Sequence, residues 1–349
     1  MTNLIIGILF SFLFTLITLP ILIKFASFHQ LYVPESYQRV HHTKVSALGG
    51  ISIFVSAIIS FLLFSDIINF PDYRYVIGSG FLMFAIGFYD DLFDLKVHHK
   101  LLGQFISVVL LVVFADVRIH FLQNHFDQNT GLFLDYILTV ILMLLIINSY
   151  NLIDGVDMLA ASIGTIIMGF LGVWFFLVGQ FDYSLALLAL SSSLIAFMIY
   201  NYSPAKIFMG DTGTMSIGLI MAIGLIQFDE INRLVDELYQ FNNAPAIAFS
   251  FIALISFDLI RVALVRIFRN TSPFNPDKNH IHHLLMRLNM AQNRIFIPLS
   301  LVIIFQILLT VLLDAFVNSN IILVAVNVTY DLIFYAFILV LLKVKSHLK

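Results

Sequence analysis

The sequence predicts an all-α polytopic membrane protein, and three observations carry that prediction. Only 11% of the 349 residues are Asp, Glu, Lys or Arg, against roughly a quarter in soluble proteins. Sixty per cent are hydrophobic and 36 are Phe, giving a mean hydropathy of +0.98. The apolar residues gather into runs of about 20, the length a helix needs to cross a bilayer. This mixture excludes a soluble enzyme, a disordered chain and a nucleic-acid binder with a basic face. There is no cysteine, so a disulfide framework, a thiolate nucleophile and Cys-ligated zinc are excluded, and any metal must take oxygen or imidazole ligands.

About eleven spans are expected, at residues 3–24, 47–66, 73–90, 101–116, 131–149, 158–180, 183–201, 213–229, 244–266, 294–314 and 320–343. The first run has no preceding basic residue and no small-residue cleavage site, and so reads as a retained helix rather than a signal peptide. An odd number of spans sets the termini on opposite sides. With the N-terminus outside, fifteen of the eighteen Lys and Arg residues fall on the inner side, leaving only Arg74, Arg118 and Arg233 outside. The positive-inside rule therefore predicts a cytoplasmic C-terminus. The outer loops are short, the longest near residues 116–130 and 229–243, and residues 1–349 read as one integral membrane domain.

Most of the unusual polar residues fall on the inner side. The five inner loops read RVHHTKVSALGG (39–50), GFYDDLFDLKVHHKLLGQ (87–104), NSYNLIDGVDMLA (148–160), NYSPAKIFMGDTGT (201–214) and PDKNHIHHLL (276–285). Acidic groups on apolar helices cost several kcal/mol unless paired, hydrated or metal-bound, so their clustering predicts one site facing the cytoplasm. Asp90 and Asp94 share a helix face at i, i+4, and with Asp91 they form a DDxxD pattern of the kind that holds Mg²⁺ and diphosphate; a solvated helix end is the plain alternative. Asn151, Asp154 and Asp157 follow at i, i+3, i+6, with Gly155 allowing close backbone approach; an N-cap set for the next span is the alternative. Gly210-Asp211-Thr212-Gly213-Thr214 opens the eighth span. There the helix N-terminus favours an anion and Asp211 is placed to hold Mg²⁺ against a diphosphate, or simply to cap the helix. Phe208 offers a flat face for a nucleobase, or is membrane core. His280, His282 and His283, with Lys278, Arg287 and Arg294 nearby, suit a phosphate better than a metal. Asp258 and Arg261 at i, i+3 can neutralise each other.

In order and spacing, these loops make the chain resemble the polyprenyl-phosphate N-acetylhexosamine-1-phosphate transferase family. The HIHH form is similar to the branch that acts on undecaprenyl phosphate and N-acetylglucosamine, which is related to phospho-N-acetylmuramoyl-pentapeptide transferase. The resemblance runs from about Arg39 to His283. It implies Asp90, Asp91 and Asp94 at the acceptor phosphate, Lys100 as the basic residue of KLLGQ, and Asp211 as the Mg²⁺ ligand. It implies Asn201, Asp157 and Phe208 against the uridine, and His280, His282 and His283 near sugar and diphosphate. Asp154 joins the catalytic set; Asn151, Gly155, His41 and Lys278 join the substrate-binding one. Met158 stands where the family usually has Gly, and Thr214 where it usually has Ser.

The implied activity is transfer of a HexNAc-1-phosphate, by default GlcNAc-1-phosphate, from a UDP-sugar to polyprenyl (undecaprenyl) phosphate. The products are polyprenyl-diphospho-sugar and UMP, in the first step of a cell-surface polysaccharide. Mg²⁺ is the expected cofactor, with Mn²⁺ as alternative. The expected partners are the UDP-HexNAc donor and the polyprenyl phosphate acceptor, with no nucleic acid and with room left for a homodimer; the expected location is the bacterial inner membrane. Two alternatives stand beside it: a membrane prenyltransferase using Asp-rich Mg-diphosphate motifs, and an ion-coupled transporter with acids at the midplane, for which Asp135 and Asp331 are the residues to watch.

Overall fold

The computed structural model describes residues 1–32, 45–66, 73–122, 126–272 and 279–347. They form α1 (Thr2–Phe28), α2 (Gly49–Phe64), α3 (Tyr73–Phe93), α4 (Val97–Phe114), α5 (Gln128–Leu152), α6 (Leu159–Leu177), α7 (Phe181–Asn201), α8 (Gly210–Asn232), α9 (Ala244–Phe268), α10 (Ile281–Arg287), α11 (Phe296–Asp314) and α12 (Asn320–His347). Among the described residues the one non-helical pairing is an isolated parallel bridge between Ser46 and Ile207.

Ten of these helices are long and apolar enough to cross a membrane; α2, at 16 residues, is a shorter apolar helix. The chain is thus a multi-pass membrane protein, with ten bilayer-length helices and a short one among the described residues where about eleven spans were expected. The seven-residue α10 lies in what the sequence suggested was plain loop. Several helices also run past their apolar stretch. Asp90 and Asp91 sit in the last turn of α3, Asn148 and Asn151 at the end of α5, and Asp211 in the first turn of α8. Once a helix is nucleated, each further residue adds a backbone hydrogen bond, so polar residues at a span's edge join it.

Helix α8 is the axis of the bundle. It packs against α2, α3, α5, α6 and α9, and nearly all of its residues are buried. Glycines set its closest approaches: a Cβ on Gly50 would collide with the backbone of Gly213, and one on Gly87 with the backbone of Asp211 and Thr212. The starts of α2 and α8 and the end of α3 are thereby pinned together. Hydroxyls tie α1, α2 and α7, with Ser11 Oγ 2.6 Å from Ser193 Oγ, Thr15 Oγ1 2.7 Å from Ser56 Oγ, and Ser56 Oγ 2.8 Å from Ser193 Oγ. Lipid offers no hydrophobic drive for helix association, so small residues and interhelical hydrogen bonds supply it.

At the end of the bundle away from the motifs, acids tether loops. Asp135 accepts from the N–H groups of Phe121 and Leu122, and Asp314 from those of Asn242 and Asn243. Between α11 and α12, the Gln306 amide donates to Asp331 Oδ2 and to the Asn327 carbonyl, each at 3.3 Å. Helices α5 and α12 run unbroken through Asp135 and Asp331, unlike the discontinuous helices that build transporter sites.

Candidate active site

The motif-bearing segments meet at one end of the bundle, around the start of α8. Gly210 adopts φ +73°, and a Cβ there would strike the Ala47 carbonyl and the Asp91 carboxylate. Glycine therefore lets Asp91 close over the helix. Asp91 Oδ1 accepts from the Asp211 N–H (2.8 Å), and Oδ2 from the Thr212 N–H (2.9 Å) and hydroxyl (2.6 Å). This is an N-cap supplied by another helix, and it sets a carboxyl group at the positive end of the α8 dipole.

Asp211 then projects from the first turn of α8. Asn151 Nδ2 donates to its Oδ1 at 2.9 Å and to Thr214 Oγ1 at 2.6 Å. The Lys100 ammonium contacts Asp211 Oδ2 and also lies 3.2 Å from Asp90 Oδ2. Two carboxylates from α3 and α8 thus converge on a single cationic group carried by α4. Asp90 Oδ1 further accepts from the Leu95 N–H at 2.7 Å, which fixes the turn between α3 and α4.

The turn after α5 forms the next wall. Met158, at φ +70°, precedes α6, and its N–H donates to Asn201 Oδ1 at 2.7 Å, while Asn201 Nδ2 donates to the Ile207 carbonyl at 2.9 Å. Asn201 thus ties the 153–158 turn to the strand-like segment that leads to half-buried Phe208. The Phe208 N–H donates to the Ser46 carbonyl at 2.8 Å. Asp157 is buried in the same turn and Asp154 is half-buried. Gly155 abuts the histidine segment: a Cβ on it would lie 2.9 Å from His282 Nε2.

The histidine segment is braced by Asp258, whose Oδ2 lies 2.9 Å from His280 Nδ1 and which accepts from the Ile281 N–H at 3.1 Å and 3.2 Å. Arg261 donates to Asp258 Oδ1 (2.7 Å), to the Asn279 carbonyl (2.6 Å) and to Tyr335 Oη (3.0 Å). So Asp258 and Arg261 do neutralise each other, and together they also build the floor beneath His280. His282 is buried; desolvation, with His283 adding repulsion, pushes its imidazole down to about 3 and keeps the ring neutral at physiological pH.

Asp90, Asp91, Lys100, Asn151, Asp154, Gly155, Asp157, Asn201, Phe208, Asp211, His280, His282 and His283 therefore all lie at this end of the bundle. Asp94 departs from expectation. Helix α3 stops at Phe93, Asp94 takes φ +52° and is exposed, so it does not share a helical face with Asp90. The i, i+3, i+6 reading of Asn151, Asp154 and Asp157 also fails, because α5 ends at Leu152 and the two aspartates lie in a turn. The N-cap position of α6 is Met158, which makes no side-chain capping hydrogen bond. The N–H groups of Asp211 and Thr212, the second and third residues of α8, are taken by Asp91. His41 and Lys278 lie outside the described residues. Sequence reasoning missed the Thr212 hydroxyl and the bracing role of Asp258. A carboxylate three residues before an arginine near the end of an apolar helix was the available signal for the second.

The described residues thus form a helical membrane bundle with one polar centre at one end. Residues 73–229, from the start of α3 into the last turn of α8, match the family described as glycosyl transferase family 4. It is 27% identical over 307 residues to the undecaprenyl-phosphate alpha-N-acetylglucosaminyl 1-phosphate transferase of Yersinia pestis, covering 86% of this chain and 80% of that one. It is 29% identical over 302 residues to a Bacillus subtilis protein described as a probable undecaprenyl-phosphate N-acetylglucosaminyl 1-phosphate transferase (83% and 79% covered). The Escherichia coli K12 enzyme named as in Yersinia is 25% identical over 297 residues (83% and 78% covered).

Proposed function

We propose that this protein transfers a HexNAc-1-phosphate, GlcNAc-1-phosphate in the first instance, from a UDP-sugar to undecaprenyl phosphate in the bacterial inner membrane, with the site end of the bundle in the cytoplasm. The observation that carries the reading is the convergence of Asp90 and Asp211 on one cation position at the capped start of α8. The names of the relatives supply the substrate class.

In this reading a non-bridging oxygen of the lipid phosphate attacks the β-phosphorus of the donor. The new P–O bond forms as the bond from that phosphorus to the α,β-bridging oxygen breaks, and UMP leaves with the electron pair. A phosphate monoester has a second pKa near 6 and is mostly dianionic at neutral pH, so the attack needs orientation more than a general base. Phosphoryl transfer depends chiefly on positioning and on neutralising charge. Lys100 supplies a positive charge between the two carboxylates. Asn151 fixes the Asp211 rotamer, Asp91 fixes the backbone beneath it, and Asn201 holds the 153–158 turn in register with Phe208, the candidate stacking face for uracil. The neutral ring of His282 and the braced His280 present the far wall to the sugar diphosphate.

The donor set fits a hard divalent cation. No group of three or more acidic or histidine side chains among the described residues could hold a metal, but Mg²⁺ characteristically takes one or two carboxylates and completes its shell with water and substrate phosphates. Asp211, with Asp90, would hold it in place of the Lys100 ammonium that bridges the two carboxylates here. When bound, the ion supplies charge neutralisation for the diphosphate and the leaving UMP.

The test is to mix purified protein with undecaprenyl phosphate, Mg²⁺ and a panel of UDP-HexNAc donors and to identify the nucleotide released. Lipid-dependent UMP is expected, and it should vanish in Asp211→Asn with the fold retained. Release of UDP would instead indicate glycosyl transfer and overturn the reading.

A further inference from the structure

The histidine helix α10 is only seven residues long, too short to keep its shape by its own hydrogen bonds. Where His280 and His282 stand is therefore decided by what grips the segment. Arg261, in the last two turns of α9, grips it on two sides. Its Nη2 donates to the Asn279 carbonyl at 2.6 Å and to Asp258 Oδ1 at 2.7 Å. Asp258 in turn holds the His280 ring through Nδ1 and accepts from the Ile281 N–H. A carboxylate on Nδ1 sets the plane of the ring and leaves Nε2 turned away from α9.

Helix α12 fixes Arg261. Its residues Asn327, Asp331 and Tyr335 recur at i, i+4 and so share one face. The first two meet α11, with the Thr310 hydroxyl 3.1 Å from Asn327 Oδ1 and the Gln306 amide nitrogen 3.3 Å from Asp331 Oδ2. Those contacts set how far α12 slides along the bundle and bring Tyr335 level with Arg261. There Arg261 Nη1 donates to Tyr335 Oη at 3.0 Å, and the guanidinium carbon lies 4.2 Å from the centre of the tyrosine ring. The Arg261 side chain is only 12% exposed, so an aromatic face is worth more to it than it would be in water. Further along α12, Lys345 Nζ donates to the Arg287 carbonyl at 2.6 Å, which places a cation at the C-terminal end of α10.

We propose that Tyr335 is a positioning residue for the transfer reaction: by clamping Arg261 it holds Asp258 and the His280 ring in the orientation that meets the donor diphosphate. The proposal rests on the transfer reading above. Tyr335 stands two side chains away from His280 and acts through Arg261 and Asp258. Without its ring, one face of the guanidinium is uncovered and the arginine no longer serves Asn279 and Asp258 from one fixed plane. The histidine then loses its register, and the cost falls on turnover rather than on binding of the lipid acceptor.

The test uses the full-length protein with UDP-GlcNAc and undecaprenyl phosphate, and expresses kcat per folded molecule. Tyr335→Leu is expected to lower kcat about tenfold, the size of losing one desolvated cation–π contact, with KM for undecaprenyl phosphate held within about twofold. Tyr335→Phe keeps the ring and should retain roughly a third or more of kcat. A residue that acts through His280 has nothing left to disturb once that ring is gone, so in a His280→Gln background Tyr335→Leu should cost less than about twofold. A further loss of about tenfold in that background overturns the proposal. So does a Tyr335→Leu protein that is less stable but has unchanged kcat. The second readout needs no turnover: ring-nitrogen NMR of the protein labelled with ¹⁵N-histidine, with the His280 signal assigned by its loss in His280→Gln. Tyr335→Leu should move that signal and Tyr335→Phe should bring it back toward its original position. A His280 signal that stays put in Tyr335→Leu overturns the proposal. If the unsubstituted protein releases no UMP, the transfer reading fails, while the nitrogen signal still decides whether Tyr335 holds His280.

Discussion

Asp91 and Asp211 carry the same side chain and have opposite duties. Asp91 turns its oxygens onto the N–H groups and hydroxyl at the start of α8, and Asp211 turns outward to Lys100 and Asn151. The motif spelled out both residues but not this division, because it follows from where α3 ends against α8. Met158 is a second case. Its φ of +70° explains why glycine suits the position, since an L side chain in the left-handed region costs about 1–2 kcal/mol. Met158→Gly relieves that strain but deletes a buried side chain, so it is expected to lower stability by about 1–3 kcal/mol net in a detergent unfolding assay, less than the loss for a buried methionine without backbone strain. His282 sets a pH dependence. Its folded-state pKa lies near 3, below the unfolded value of 6.5, so the unfolded chain binds the proton first. Its contribution is fully present above pH 6.5 and declines below it by up to about 1.4 kcal/mol per pH unit. Unfolding followed from pH 7.5 to 5 should show that fall, and His282→Gln should flatten it.

At the scale of the helix, apolar run length was enough to find the hydrophobic helices and place most of their ends within a few residues. The misses share a cause. Asp94 and the Asn151–Asp157 set were read by helical spacing alone, but α3 ends at Phe93 and α5 at Leu152, where chain direction changes to meet α4 and α6. Those stops depend on contacts from other helices, which no local pattern encodes. The α11–α12 pair illustrates polar residues inside an apolar contact. Asp331 and Gln306 are both buried there, and the Gln306 amide is the donor to Asp331 Oδ2. Gln306→Leu keeps the volume but removes that donor. It should destabilise the protein by about 1–3 kcal/mol, the cost of leaving a buried polar group unsatisfied, measured by unfolding in detergent or bicelles. A change below about 0.5 kcal/mol would mean that the pair contributes no net stability.

For the whole molecule, the polar residues that looked scattered over five loops come together because the helices alternate in direction and α8 is gripped by α2, α3 and α5. That convergence was legible from the one-sided distribution of motifs. The bracing of His280 by Asp258 and Arg261, across 22 residues of sequence, was legible only as a possible ion pair. The same geometry weakens the prenyltransferase alternative, since Asp90, Asp91 and Asp94 part company instead of facing one diphosphate. Orientation is open to a clean test because the chain has no cysteine. Lys96→Cys lies at the site end and Leu238→Cys at the other, both exposed. A membrane-impermeant maleimide should label the second in intact cells and the first only after permeabilisation; the reverse pattern would invert the topology.

The central claim is that phosphorus moves with the sugar, and its most direct measurement follows the β-phosphate itself. Purified protein would be given a UDP-HexNAc donor labelled with ³²P at the β-phosphate, together with undecaprenyl phosphate and Mg²⁺, and the label would be partitioned between organic and aqueous phases. The account predicts that the label enters the lipid phase in step with unlabelled UMP formation, and that Asp211→Asn stops both. Label that remains in the aqueous nucleotide while sugar enters the lipid would contradict it.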